Sequence, residues 1–424
     1  MRNILLPLFF SALSISGFAQ QKPVIYDESQ VPSYELPDVL TCNDGTKVTN
    51  KRMWEKKRRP EVMEMFQGQM FGRTPKDKIK VDCTLLQEKK DAVYGKATIQ
   101  QIQMRFSNGS KTHDALLMLV IPNNRPHKKV PVIFCYNFKG NHNTTHDPSI
   151  LMPYSYDIIP SAYGEKGERG LSARRWDYEQ AMDRGYAVAT MCYNDIYPDD
   201  KNELKNSVGT LFSGYNPNAE LAPDSWQSIG TWAWGASRVA DYLQTLPWVD
   251  KDKLVMMGHS RLGKTSLWAG AQDTRFKVVI SNDSGCGGAA ISRRTFGETL
   301  EIITRVFPHW FCPSFRRFAN KENELPFDQH ELIALIAPRA VYVASAEMDA
   351  WADQKGEFLS AYHATPVYHL YGFKGVESDQ MPGLHQPIMG EKVGYHIRQG
   401  VHDVTNYDWA RYMDFCDRQF YPKK

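Results

Sequence analysis

From residue 130 onward, short and almost wholly apolar runs alternate with segments of helical periodicity, and that alternation leaves few folds open. Residues 130–136 and 186–193 are apolar at both odd and even positions. A strand of that kind must be covered on both faces, the condition of a parallel sheet held between layers of helix. Between such runs, residues 228–245 place Ile229, Trp232, Ala236, Val239, Ala240 and Leu243 at helical spacing. Further helices are expected at 178–184 and 262–271, and further strands at 254–258, 278–281, 340–346 and, as the last strand, 367–370. The chain is therefore α/β, with a mostly parallel sheet flanked by helices. Upstream, a helix at 60–71 precedes strand patterns at 81–85, 97–105 and 113–121, joined by turn residues, which read as an antiparallel edge of the same sheet.

The first nineteen residues belong to a different class. Arg2 supplies a positive start, residues 4–18 are mostly apolar, and Ser16, Gly17 and Ala19 are small residues before a polar Gln-Gln-Lys-Pro. This is the pattern of a secretory signal peptide, so residues 20–424 are expected as one exported domain, secreted or periplasmic and monomeric. No later run is apolar for long enough to insert in a membrane. Charges nearly cancel at a net +3, with no basic tract, which excludes a nucleic-acid partner. The seven cysteines are an odd number without metal-binding spacing, and Cys135 and Cys192 fall inside apolar strands as small buried hydrophobes.

Two irregular stretches, 141–175 and 194–225, interrupt the order and are expected above the carboxyl ends of the strands, where open α/β sheets bind ligands. Into that region runs the segment Leu-Val-Met-Met-Gly-His-Ser-Arg-Leu-Gly-Lys at 254–264. A strand, a tight Gly-His-Ser turn and a helix make the nucleophile elbow of an α/β-hydrolase three-layer sandwich, with Ser260 as nucleophile. The competing role for a serine here is that of a helix N-cap. Leu262 stands where the usual pattern has glycine, and Gly263 follows it. A serine nucleophile needs a base, an acid that orients the base, and donors for the oxyanion. Asp283, Glu347 and Asp349 follow strands and can supply the acid. His402, on a loop before the final amphipathic helix, is the favoured base, with His385 as its competitor and His369 assigned to a strand. Arg261 and Lys264 put two cations beside the nucleophile, which suits an acidic or hydroxyl-rich substrate.

The elbow Gly-His-Ser-Arg-Leu-Gly-Lys at 258–264, with Asn-Asp-Ser-Gly-Cys-Gly-Gly-Ala-Ala at 282–290, resembles bacterial glucuronoyl esterases of carbohydrate esterase family fifteen. Matching stretches at 137–142, 184–190, 307–311 and 394–403 extend the resemblance over most of the mature chain. It implies hydrolysis of the ester between 4-O-methyl-glucuronic acid of glucuronoxylan and lignin alcohols, without metal or organic cofactor. It implies Ser260 as nucleophile, His402 as base, Arg261 as oxyanion partner, and Asp283 or Asp349, or both, as the acid. Lys264, Glu298, Trp310 and Trp351 would line the sugar pocket. The fungal branch carries cysteines at the positions of His259 and Asp403, so a disulfide from elbow to histidine loop is missing here, and Cys286 with Cys312 is a candidate pair instead. The alternatives are an acetyl-xylan or other carbohydrate esterase on the same fold, and a glycan-binding protein without catalysis. Lys264 and Glu298 argue against the first, because an acetyl group offers them nothing to bind.

Overall fold

The computed structural model describes residues 23–163, 168–216 and 219–422; the expected signal peptide lies outside them. Ten strands form one continuous sheet in the order β1-β2-β3-β5-β4-β6-β7-β8-β10-β9. They are β1 (Lys80–Ala92), β2 (Ala97–Asn108), β3 (Lys111–Pro122), β4 (Val130–Asn137), β5 (Ala187–Cys192), β6 (Val249–His259), β7 (Phe276–Asn282), β8 (Ala340–Ala346), β9 (Ile388–Met389) and β10 (Val393–Arg398). Strands β5, β4, β6, β7, β8 and β10 run parallel, while β1, β2, β3 and β9 pair antiparallel at the two ends.

The apolar runs are explained by where their side chains go. In β4, Val132, Phe134 and Tyr136 enter one hydrophobic cluster while Ile133 and Cys135 enter another on the opposite face. Strand β6 repeats this with Leu254 and Met256 against Val255 and Met257, and β8 with Val341 and Val343 against Tyr342 and Ala344. Helices Ser228–Leu243, Arg261–Gln272 and Gln354–His369 contribute to the first cluster, and Tyr178–Asp183 and Asn406–Phe420 to the second. The last of these starts with a capping box in which Thr405 and Asp408 satisfy each other's backbone N–H groups. The helix expected at 60–71 is Arg59–Phe66, prolonged by a π-helical turn, Gln67–Phe71.

One expected strand is a helix. Residues 367–370 finish Gln354–His369, with Val367 and Tyr368 buried against the same core as Phe358, Ala361 and Ala364. Pro366 inside that helix has the look of a break in sequence, yet the helical packing continues through it. The last parallel strand is instead β10, which pairs with β8 from Val393 to Arg398. The candidate disulfide is also corrected. None of the seven cysteines is in a disulfide; Cys286 sits in a tight turn bridged to Ala290, and Cys312 hangs from the Met70 carbonyl by its backbone N–H.

Every parallel strand ends at the same side of the sheet, so the segments after β4, β5, β6, β7, β8 and β10 converge there. These carry the two long irregular loops, Ser260, Asp283, Asp349 and His402.

Candidate active site

Ser260 follows β6 directly and opens helix Arg261–Gln272 with φ 59° and ψ −129°, a conformation that costs a non-glycine residue about 1–3 kcal/mol. Neighbours hold it there. Its N–H donates to the Asn282 carbonyl at the end of β7 (2.9 Å), and its own carbonyl accepts from Gly263 and Lys264 (2.8 and 3.2 Å). The turn closes so tightly that a Cβ on Gly258 would lie 1.9 Å from the Leu262 carbonyl oxygen. A Cβ on Gly263 would lie 2.9 Å from that of Ser284, which is why the second glycine is needed at 263 while Leu262 points into the core. The Ser260 hydroxyl makes no cap hydrogen bond, so the N-cap role does not use it.

His402 stands on the loop after β10, its ring against that of His259 with centroids 4.4 Å apart. His259 immediately precedes Ser260 and is buried, which pushes its pKa well below the usual value; as a neutral ring it bonds Asn282 Oδ1 through Nδ1 (2.6 Å). His402 Nδ1 lies 2.5 Å from Asp349 Oδ2, the arrangement that leaves Nε2 free to accept a proton. Asp283 is beside them but differently engaged. Its Oδ2 accepts the Asp403 backbone N–H (3.3 Å), faces Arg398 at 3.6 Å, and its Oδ1 has no partner. Burial, followed by the charges of Glu357 and Asp349, raises the Asp283 carboxyl well above the ordinary range. Ligand-type atoms of Asp283, Asp349 and His402 all lie within 4.8 Å of one another, the one such group among the described residues. Its closeness is that of the Asp349–His402 hydrogen bond with Asp283 alongside.

The other histidines are engaged elsewhere. His396 is fully buried in β10 between Asp408 (2.8 Å) and the Tyr342 hydroxyl (3.0 Å), and His369 ends a helix beside Glu377 (3.1 Å). His385 accepts only a long bond from the Gln399 N–H and meets the Tyr407 ring edge.

The guanidinium of Arg261 is mostly buried, with the Trp310 ring centroid 4.8 Å away. Lys264 is buried and donates to the Ser284 carbonyl (2.6 Å). Burial lowers its pKa, against the raising charge of Glu298. Glu298 is itself raised by burial, with Lys264, Arg261 and a bond to Trp351 working the other way. Trp351 is 40% exposed, and its carbonyl accepts the Glu298 N–H (3.0 Å). Trp310 is buried and lies parallel to Phe307 at 3.8 Å. All four expected pocket residues are thus linked, through contacts or charge, to one another or to Arg261.

Two residues escaped the sequence reading. Asp199, in the second long loop, forms an ion pair with Arg261 and accepts from Trp310 Nε1 (2.7 Å), His309 (2.8 Å) and the Tyr193 hydroxyl (2.9 Å). Glu357, fully buried, accepts the N–H groups of Ser284 and Gly285 (2.7 and 3.0 Å) and the Ser345 hydroxyl (2.6 Å), which fixes the turn carrying Asp283. Neither sits in a periodic or motif-like segment.

A family model described as fungal glucuronyl esterase matches residues 175–372. A carbohydrate esterase from an unknown prokaryotic organism is 41% identical over 94% of this chain and 93% of its own. A 4-O-methyl-glucuronoyl methylesterase of Schizophyllum commune is 26% identical over 80% and 74% respectively. The solved structure of a glucuronoyl esterase from Solibacter usitatus superposes with a TM-score of 0.85 at 41% identity, covering 92% of this chain and all of that one.

Proposed function

Because this chain belongs to the glucuronoyl esterase family and is a carboxylic ester hydrolase, we propose that it cleaves esters of glucuronic acid. Within that class its substrate is the 4-O-methyl-glucuronoyl ester that links glucuronoxylan to lignin alcohols. The observation that carries this reading is the elbow: Ser260 is held at positive φ with its hydroxyl uncommitted, and against the adjoining His259 packs a histidine, His402, that is hydrogen-bonded to a carboxylate.

In this scheme His402 Nε2 takes the Ser260 proton as Oγ attacks the uronoyl carbonyl carbon. The charge that develops on the carbonyl oxygen meets Arg261, whose Nε–H is buried without a partner. Asp349 holds His402 in the tautomer that accepts at Nε2 and stabilises the imidazolium that forms. The tetrahedral adduct collapses, the C–O bond to the alcohol breaks, and His402 returns the proton to the departing oxygen. Water then attacks the acyl-enzyme by the same route and releases the free uronic acid. Asp283 fixes the histidine loop by accepting the Asp403 N–H. Lys264 and Glu298 receive sugar hydroxyls, and Trp310 and Trp351 wall the ring. Export by residues 1–19 belongs to the same proposal, since polymeric substrate lies outside the cell.

Benzyl glucuronate hydrolysis tests it. Ser260→Ala should lower kcat by at least about 10⁴-fold and Asp349→Asn by more than Asp283→Asn. Wild-type rates from Ser260→Ala, or faster release of acetate from acetylated xylan than of benzyl alcohol, would overturn it.

A further inference from the structure

Asp199 gathers four donors from three parts of the chain. Oδ2 faces Arg261 and the Tyr193 hydroxyl; Oδ1 accepts from His309 Nε2 and Trp310 Nε1. Its backbone is fixed as tightly, with the N–H on Asn194 Oδ1 (2.9 Å). The preceding Tyr197 carbonyl accepts from Trp232 Nε1 (2.9 Å), and the His309 carbonyl is held by the Ser228 N–H (2.9 Å). A carboxylate with this many ties is a fixed reference point in an otherwise irregular loop. Burial alone would raise its pKa. The His309 bond, the Arg261 charge and the Trp310 N–H outweigh that and keep it ionised.

We propose that Asp199 is a positioning residue for hydrolysis, aiming the Arg261 guanidinium at the oxyanion and locking the Trp310 wall in one step. The proposal rests on the reading of Arg261 as the oxyanion partner. A carboxylate beside such a cation has two opposed effects. It damps the positive field, and it removes the rotational freedom that a long side chain would lose again in every transition state. Here the negative charge is shared among His309, Trp310 and Tyr193 as well as Arg261, so the field at the carbonyl is only partly cancelled. The geometric effect is undivided, because Asp199 engages one end of a planar fork and so sets the direction of the rest. The same carboxylate fixes Trp310, whose ring lies under both Arg261 (4.8 Å) and the Lys264 ammonium (5.7 Å).

The test is a double-mutant cycle of Asp199→Asn with Arg261→Ala on benzyl glucuronate, with kcat expressed per active site titrated by a fluorophosphonate. Asp199→Asn should lower kcat on the order of 10- to 100-fold, with KM changed less than about threefold, and should cost little more once Arg261 is alanine. A kcat per titrated site within about twofold of wild type, or the same fold-loss in both backgrounds, overturns the role of Asp199 while that of Arg261 stands. If Arg261→Ala alone keeps the wild-type kcat, the oxyanion assignment fails and this proposal with it. Should Asp199→Asn not fold, Tyr193→Phe removes a single bond to the same oxygen and must follow the same non-additive pattern, on a smaller scale, or the proposal falls.

Discussion

At the scale of single residues, the buried carboxyl of Glu357 offers a measurement separate from catalysis. Burial, only partly offset by the bonds from Ser345, Gly285 and Ser284, pushes its pKa up to about 8. The protonated form is therefore favoured by folding, a stabilisation complete below about 4.5 and lost as pH rises through about 8. Glutamine keeps an acceptor for the two backbone N–H groups and cannot ionise. Glu357→Gln should match wild type in Tm near pH 5 and exceed it by pH 9, a difference on the order of a few kcal/mol; thermal melts across that range check it. The same scale shows why the acid could not be chosen from sequence. Asp283 and Asp349 each follow a strand, and chain order says nothing about which oxygen reaches His402 Nδ1. Asp199 was invisible for a further reason: it acts through residues 62 and more positions away in sequence, from a loop with no periodicity.

Among the elements, the elbow depends on close approach of backbone to backbone, so Gly258→Ala should be severe. The added Cβ would meet a main-chain carbonyl that cannot rotate aside. Loss of more than about 2 kcal/mol in urea unfolding, or failure to accumulate folded protein, is expected. Strand β6 and the helix after it were legible because the strand leaves an unbroken apolar run and the helix a period of 3.6. Helix Gln354–His369 was not read from the sequence, which put a strand at 367–370. Its final turn has Val367 and Tyr368 after Pro366, a local pattern that suits a strand, and only packing against Phe358 and Ala364 overrides it. Strand β10 was missed for the opposite cause: Gly394, His396 and Arg398 break its apolar run, yet His396 and Arg398 are buried because Asp408 bonds both.

For the whole molecule, the two-faced burial of the parallel strands places them between layers of helix, and the convergence of their carboxyl ends brings separate segments to one site. Long-range pairing of this kind holds the sheet together without covalent help. Six of the seven thiols are buried and none is linked to another; Cys83, on the edge strand β1, is half-exposed, and burial still raises it to about 11. Dithiothreitol should leave Tm and kcat unchanged, and a native titration with a thiol reagent should count no more than about one slow group; a reductant-sensitive Tm would contradict the free-thiol state. A hydrolase built this way is indifferent to the oxidising power of its surroundings. With no disulfide to form or lose, its folding does not wait on an oxidant.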